Sequence, residues 1–168
     1  MRRSSPIAVL LLAACGGGGG GGDGTPPVTQ SAAFTATTAP IAPSADGTDL
    51  IVALRSTASP APALLQVDVE LPPQLQLAQQ QQRLSAIAPL SVDGDFDGER
   101  FVVLCGDSTN PSADPLPIGD LFRLRVQPSQ PRQPGTYTIA LRGLRAATSA
   151  GAAVPLAAQT IPVTVTVQ

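Results

Sequence analysis

The chain has 168 residues and a net charge of −2, and all ten of its basic residues are Arg. Without a basic cluster it lacks the phosphate neutralisation on which nucleic-acid binding rests, and without any His it lacks the commonest general base and metal ligand. Hydrophobic residues make up 43% but aromatics only 3%, so the core has to be aliphatic, built from Val, Leu, Ile and Ala.

Arg2 and Arg3 form a positive start, and Ile7–Ala14 is an apolar run too short to span a bilayer, which needs about 20 residues. The run closes on Leu12-Ala13-Ala14-Cys15. This order resembles the lipobox of bacterial lipoproteins. The resemblance implies a diacylglyceryl group on the Cys15 sulfur, cleavage before Cys15 and acylation of the new amine. Two or three acyl chains anchor a protein stably where one alone is marginal. Gly16 rather than Asp follows the Cys, which by the same resemblance directs the protein to the outer membrane. Gly16–Gly22 and the following Asp23-Gly24-Thr25-Pro26-Pro27 read as a flexible tether. A phosphate-cradling loop is excluded there, because no strand precedes it and no Lys follows. The expected division is 1–14 as signal peptide, 15–32 as lipidated Cys and Gly/Pro-rich tether, and 33–168 as one folded domain.

Within 33–168, Phe34–Ile41 reads as a first edge strand and Asp49–Ser56 as a second. Leu64–Leu71 is the clearest strand: Leu65, Val67, Val69 and Leu71 alternate with Gln66, Asp68 and Glu70, giving one apolar and one polar face. Pro72 and Pro73 end it, since neither donates to a ladder. Gln74–Ala78 reads as a short continuation, and Gln79–Leu84 as one or two helical turns or a loop. Leu90–Val92 is a short strand, Asp93–Gly98 a turn and Arg100–Cys105 a buried strand. A loop, Gly106–Pro117, leads to Leu121–Gln127, with Phe122, Leu124 and Val126 inward and Arg123, Arg125 and Gln127 outward. Thr136–Arg142 repeats the alternation, Arg145–Ala153 is a loop, and Ile161–Val167 closes the domain. Eight or nine short strands between Pro- and Gly-rich turns make an all-β sandwich.

Several stretches occur in the order found in cohesin modules: Leu65–Leu75, Glu99–Ser108, Pro117–Val126, and Pro134–Leu144 with its Pro-Gly-Thr start. The domain resembles that family, with Leu71-Pro72-Pro73 standing where the family has a Tyr-Asp-Pro-like turn. The resemblance implies a jelly-roll β-sandwich that binds and does not catalyse. Cohesins hold a dockerin, a small calcium-binding protein, on one exposed sheet face. Here that face would include Gln66, Asp68 and Glu70, with neighbours from Arg100–Cys105 and Thr136–Arg142. The plainer reading is that these three are the solvated face of a sheet.

Asp93-Gly94-Asp95-Phe96-Asp97-Gly98 has the D-x-D-x-D-G start of a calcium loop, so Asp93, Asp95 and Asp97 are the candidate metal ligands. The twelfth position, which should carry a bidentate Glu, is Leu104, and a strand follows instead of a helix. The turn therefore reads first as an acidic hairpin and second as a weak calcium site. No other cofactor is expected. Cys105 has no partner once Cys15 is lipidated, and no His or Lys stands ready to activate it. A carbohydrate-binding module is the alternative from another class, but of the five aromatic residues only Phe96 falls at a predicted turn tip. Arg123, Arg125, Arg142 and Arg145 would form a basic patch if their strands share a sheet. The expected protein is a lipid-anchored envelope module with a protein partner, either dockerin-like or an envelope component, and a structural role in an envelope or secretion assembly is the further alternative.

Overall fold

The computed structural model describes residues 30–79, 84–87, 90–97, 100–106 and 114–168. The signal peptide, Cys15 and the Gly run lie outside them, as do most of the Gln79–Leu84 stretch and of the Gly106–Pro117 loop. Eleven strands occur among the described residues: β1 (Ala33–Thr38), β2 (Thr48–Ser56), β3 (Leu64–Glu70), β4 (Leu75–Leu77), β5 (Leu84–Ala86), β6 (Ser91–Asp97), β7 (Arg100–Gly106), β8 (Gly119–Pro128), β9 (Gly135–Ala147), β10 (Ala153–Val154) and β11 (Ile161–Val167). They form two sheets. In the first the order is β1-β2-β8-β4, with β5 also on β8. In the second it is β10-β9-β3-β7-β6, with β11 also on β9. Every ladder between named strands is antiparallel. This is a jelly-roll β-sandwich with more strands than expected, because β5 and β10 are only three and two residues long.

The alternation in β3 sorts as its sequence requires. Leu65, Val67 and Val69 are buried against the other sheet, while Gln66, Asp68 and Glu70 face outward and are half-buried. Facing them across the core are Leu50, Val52 and Leu54 from β2 and Phe122, Leu124 and Val126 from β8, all buried. One core cluster joins the inner faces of both sheets, and the aliphatic side chains supply nearly all of its area. Leu121 is as buried as Phe122, which simple alternation forbids. The ladder explains it: Val52 pairs with Phe122 but Ala53 with Asp120, so Leu121 is the extra residue of a β-bulge and turns inward as well.

Three expectations are corrected. Asp93–Gly98 is not a turn as far as Asp97, since β6 runs from Ser91 through Asp97, each residue paired to β7. β9 does not stop at Arg142 but continues to Ala147 through a second bulge. There Gln66 pairs with Arg145 and Asp68 with Arg142, so β9 spends one more residue than β3 over the same distance. Gly143 takes a φ of +57° at that point, a left-handed conformation suited to Gly. The bulge reverses the inward parity from Ile139 and Leu141 to Leu144 and Ala146, and this reversal hides the end of the strand from a period-two reading. Finally, Arg123 and Arg125 lie on β8 and Arg142 and Arg145 on β9, in different sheets, so the four make no common patch.

The two sheets are stitched where β1 begins and ends. Parallel bridges join Ala32 to Leu156 and Ile41 to Val167, with Ile41 N–H donating to Thr166 O at 2.8 Å and Gln168 N–H to Ile41 O at 3.0 Å. Arg132 locks this corner. Its guanidinium donates to the carbonyl oxygens of Gln168, Pro43, Ala45, Ile41 and Ala42. Hydrogen bonds from a charged donor are stronger than neutral ones, and the planar five-donor fork suits a ring of carbonyls. Arg132→Ala is expected to lower stability by about 2 kcal/mol, read as a lower denaturant midpoint. Arg132→Lys should recover only part of it, because one ammonium cannot reach five acceptors.

Candidate functional site

The outward face of the second sheet gathers most of the charged residues singled out in the sequence. Two successive rows cross it. The first runs Asp93, Leu104, Gln66, Arg145 and the second Asp95, Val102, Asp68, Arg142, each residue taken from β6, β7, β3 and β9 in turn. Each row therefore has an acid at the β6 end and an Arg at the β9 end. Gln66, Asp68 and Glu70 do share one face, as their alternation demands.

The carboxylates of β3 are engaged within the face. Arg100 reaches Asp68 at 3.3 Å and Asp97 at 3.7 Å, and Arg142 Nε reaches Glu70 Oε2 at 2.9 Å. Asp68 is the most enclosed of these groups, its side chain only 18% exposed, and a Cβ on Gly143 would come within 3.2 Å of its Oδ2. The bulge glycine thus makes room for this carboxylate. The remaining partners are well exposed, so each pair contributes little to stability; what the pairs do is hold the side chains in place. Arg145 has no ion-pair partner among the described residues.

Asp93, Asp95 and Asp97 lie at alternate positions of an extended strand, which spaces neighbouring side chains about 7 Å apart along one face. Asp93 Oδ1 accepts the N–H of Gly94 and Asp95 Oδ1 that of Phe96, both at 2.8 Å, so both carboxylates turn back on β6's own backbone. Among the described residues no group of three or more His, Cys, Asp or Glu is arranged to hold a metal ion. β6 ends its sheet, and three acids along an edge strand disfavour pairing with another chain. Phe96 is not at a turn tip. It sits within β6, 53% exposed, with its ring 5.1 Å from that of buried Phe101.

At one end of the face lies a concavity of about 820 Å³. Asp93, Leu104, Gln66 and Arg145, the whole first row, line it, and Leu64 and Ala147 stand beside them. Leu64 and Leu104 are 44% and 49% exposed, an unusual amount for leucines on strands inside a sheet. The residues after β9, including Ser149, Gly151 and Pro155, form its far wall. No aromatic side chain lines it among the described residues. Arg145 and Leu104 were not singled out as site residues in the sequence. The only signal available for Arg145 was Gly143, a glycine inside a strand pattern, which marks a bulge and with it a shift of parity.

Cys105 is buried on the inner side of β7, and burial pushes its thiol from 9.0 up to about 12. The thiolate, which is the reactive form, is therefore absent at neutral pH. The folded state disfavours ionisation, so this contribution to stability is whole below about pH 9 and is lost as pH rises toward about 12. Native protein at pH 8 should leave Cys105 unlabelled by a thiol reagent, while protein unfolded in guanidinium should label promptly; fast labelling of the native thiol would contradict its burial.

No family model and no curated protein matches the chain. Solved structures do. A cohesin module from a family 33 glycoside hydrolase of Clostridium perfringens is similar at a TM-score of 0.63 and 11% identity, over 83% of this chain and 100% of that one. A non-cellulosomal cohesin from the hyperthermophilic archaeon Archaeoglobus fulgidus is similar at 0.57 and 16% identity, over 80% and 91%. A type I cohesin from Clostridium thermocellum, solved in complex with a dockerin, is similar at 0.59 and 12% identity, over 81% and 99%. The fold is cohesin-like; identities this low speak to the fold alone.

Proposed function

We propose that this chain is a non-catalytic binding module that holds another protein on the outward face of its second sheet, displayed at a bacterial envelope by a lipid on Cys15. The observation that carries the reading is the face itself. Strand register sets its charged side chains in rows, ion pairs hold those around Asp68 and Glu70 in place, and two half-exposed leucines stand beside them. Interfaces combine an apolar centre with a polar rim, and prearranged charges set specificity and register more than raw affinity. Similar folds solved with a dockerin bound, such as the Clostridium thermocellum complex, support a protein as the class of partner. A sugar platform finds little support, since exposed aromatic surface on this sheet is limited to Phe96, on its edge strand.

The test is capture from an envelope extract of the source organism on the immobilised full chain, with and without calcium. A specific protein should be retained by the native chain and lost by the Asp68→Ala/Glu70→Ala variant, with binding weakened about tenfold or more. Retention unchanged by that variant would remove these residues from the interface. Dependence on calcium would place the ion either on the partner or on Asp93, Asp95 and Asp97, and the corresponding Asp→Asn variants separate the two.

The anchor has its own test. Cells expressing the full chain with a radiolabelled fatty acid should incorporate label into the membrane-bound protein, and Cys15→Ser should abolish both the label and membrane retention. A labelled Cys15→Ser protein would overturn the assignment.

A further inference from the structure

We propose that the concavity at the end of this face binds a small molecule, a long-chain aliphatic carboxylate, with the carboxylate held by Arg145 and the alkyl tail laid over Leu64 and Leu104. This ligand is additional to a protein partner, and the inference does not depend on the protein-binding reading.

Two rows of the sheet make the floor. One is Asp93, Leu104, Gln66, Arg145, and the next is Ser91, Gly106, Leu64, Ala147. Apart from Leu64 the second row has only small side chains, so the face dips there. A Cβ on Gly106 would stand 2.5 Å from Leu64 Cδ2. The glycine therefore lets the Leu64 side chain lie over β7 and present its methyl groups to the hollow. The far wall is tied down by main-chain hydrogen bonds. Ala32 N–H donates to Pro155 O and Ala157 N–H to Ala32 O, both at 2.9 Å, and Leu144 N–H donates to Gln159 O at 3.2 Å. Leu144, Pro155, Leu156 and Gln159 all line the hollow. Walls set by the fold need no ordering when a ligand arrives, which favours binding.

The walls select the ligand. A volume of about 820 Å³ falls within the range of small-molecule sites, roughly 300–1,000 Å³. Leu64, Leu104, Val154 and Leu156 offer aliphatic surface, and among the described residues there is no ring on which a sugar or a planar group would stack. A hydrocarbon chain needs no such partner, because burial of its area is enough to hold it. Charge supplies the head group and the direction. Arg145 is the one cation lining the hollow among the described residues, and it has no ion-pair partner among them. Its planar fork matches the two oxygens of a carboxylate. Asp93 stands at the other end of the same row, three strands and about 14 Å away, and repels an anion placed there. The head group therefore belongs at β9, and the tail runs from it toward β7.

The probe is dodecanoate, titrated calorimetrically below its micelle concentration into the full chain carrying Cys15→Ser, so that neither a covalent lipid nor detergent competes. One dodecanoate should bind per chain, about tenfold or more tighter than dodecyltrimethylammonium. Across octanoate, decanoate and dodecanoate, each added CH₂ should tighten binding about fourfold. Arg145→Glu should invert the head-group preference. Leu64→Asn/Leu104→Asn should weaken dodecanoate binding about tenfold or more and flatten the dependence on chain length. All three positions are exposed, and unchanged denaturant midpoints confirm folding. Absence of dodecanoate binding, a head-group preference indifferent to Arg145→Glu, or a chain-length dependence that is missing or survives the double Asn change overturns the proposal. Asp68 and Glu70 do not line the hollow, so protein capture and its loss on Asp68→Ala/Glu70→Ala are read separately, and failure of either proposal leaves the other standing.

Discussion

β3 is held between β7 and β9, and the register of those two ladders decides everything else on the second sheet. Side chains on a strand alternate strictly, so a slip of one residue would carry Leu65, Val67 and Val69 into water and Gln66, Asp68 and Glu70 into the core. Burial of the three aliphatic residues therefore enforces the pairing on both sides. Once Gln66 is opposite Leu104 and Arg145, and Asp68 opposite Val102 and Arg142, the outward rows are determined without any further interaction. The outward surface is thus a by-product of how the core is packed.

The bulge at Gly143 modifies that scheme in a useful way. A perfectly regular β9 would keep Ile139, Leu141 and Gly143 on the inner side. The extra residue instead brings Leu144 and Ala146 inward and Arg145 outward. It also leaves a gap in which the Asp68 carboxylate sits, 3.2 Å from where a Cβ would stand. One glycine with a left-handed backbone thereby supplies a cation to the face and space for an anion. The β8 bulge at Leu121 acts on the other side of the sandwich, adding a second consecutive side chain to a core that is poor in aromatics.

The face divides into two regions with different physics. Around Asp68, Arg100, Glu70 and Arg142 the charges satisfy one another, which orders the side chains but leaves little net field. Toward the β3 start and the β7 end, Arg145 and Asp93 flank Leu64 and Leu104 across a hollow, and Arg145 has no such pairing among the described residues. The first region is a preorganised polar surface and the second a hollow with exposed leucine side chains. Interfaces draw most of their affinity from the latter kind of region and much of their selectivity from the former.

Much of the domain was legible in the chain itself. Period-two alternation marks β3, β8 and β11 because each has one wet and one dry side, and solvent imposes that pattern directly on residue choice; β2 and β7 are marked instead by apolar runs between polar and turn-forming residues. The grouping of Gln66, Asp68 and Glu70 follows from the same rule. What the sequence could not determine is which strands become neighbours, since pairing partners are set by long-range packing and not by local preference. Hence the sequence leaves open whether Arg123 and Arg125 join Arg142 and Arg145, and two different sheets carry them. The same limit hid β6, whose Asp93, Asp95 and Asp97 carry strong turn preferences that the ladder to β7 overrides. It also hid the outward turn of Arg145 and the concavity it borders, because a bulge is defined only by counting residues on two strands at once, and a hollow only by the side chains that several strands bring around it.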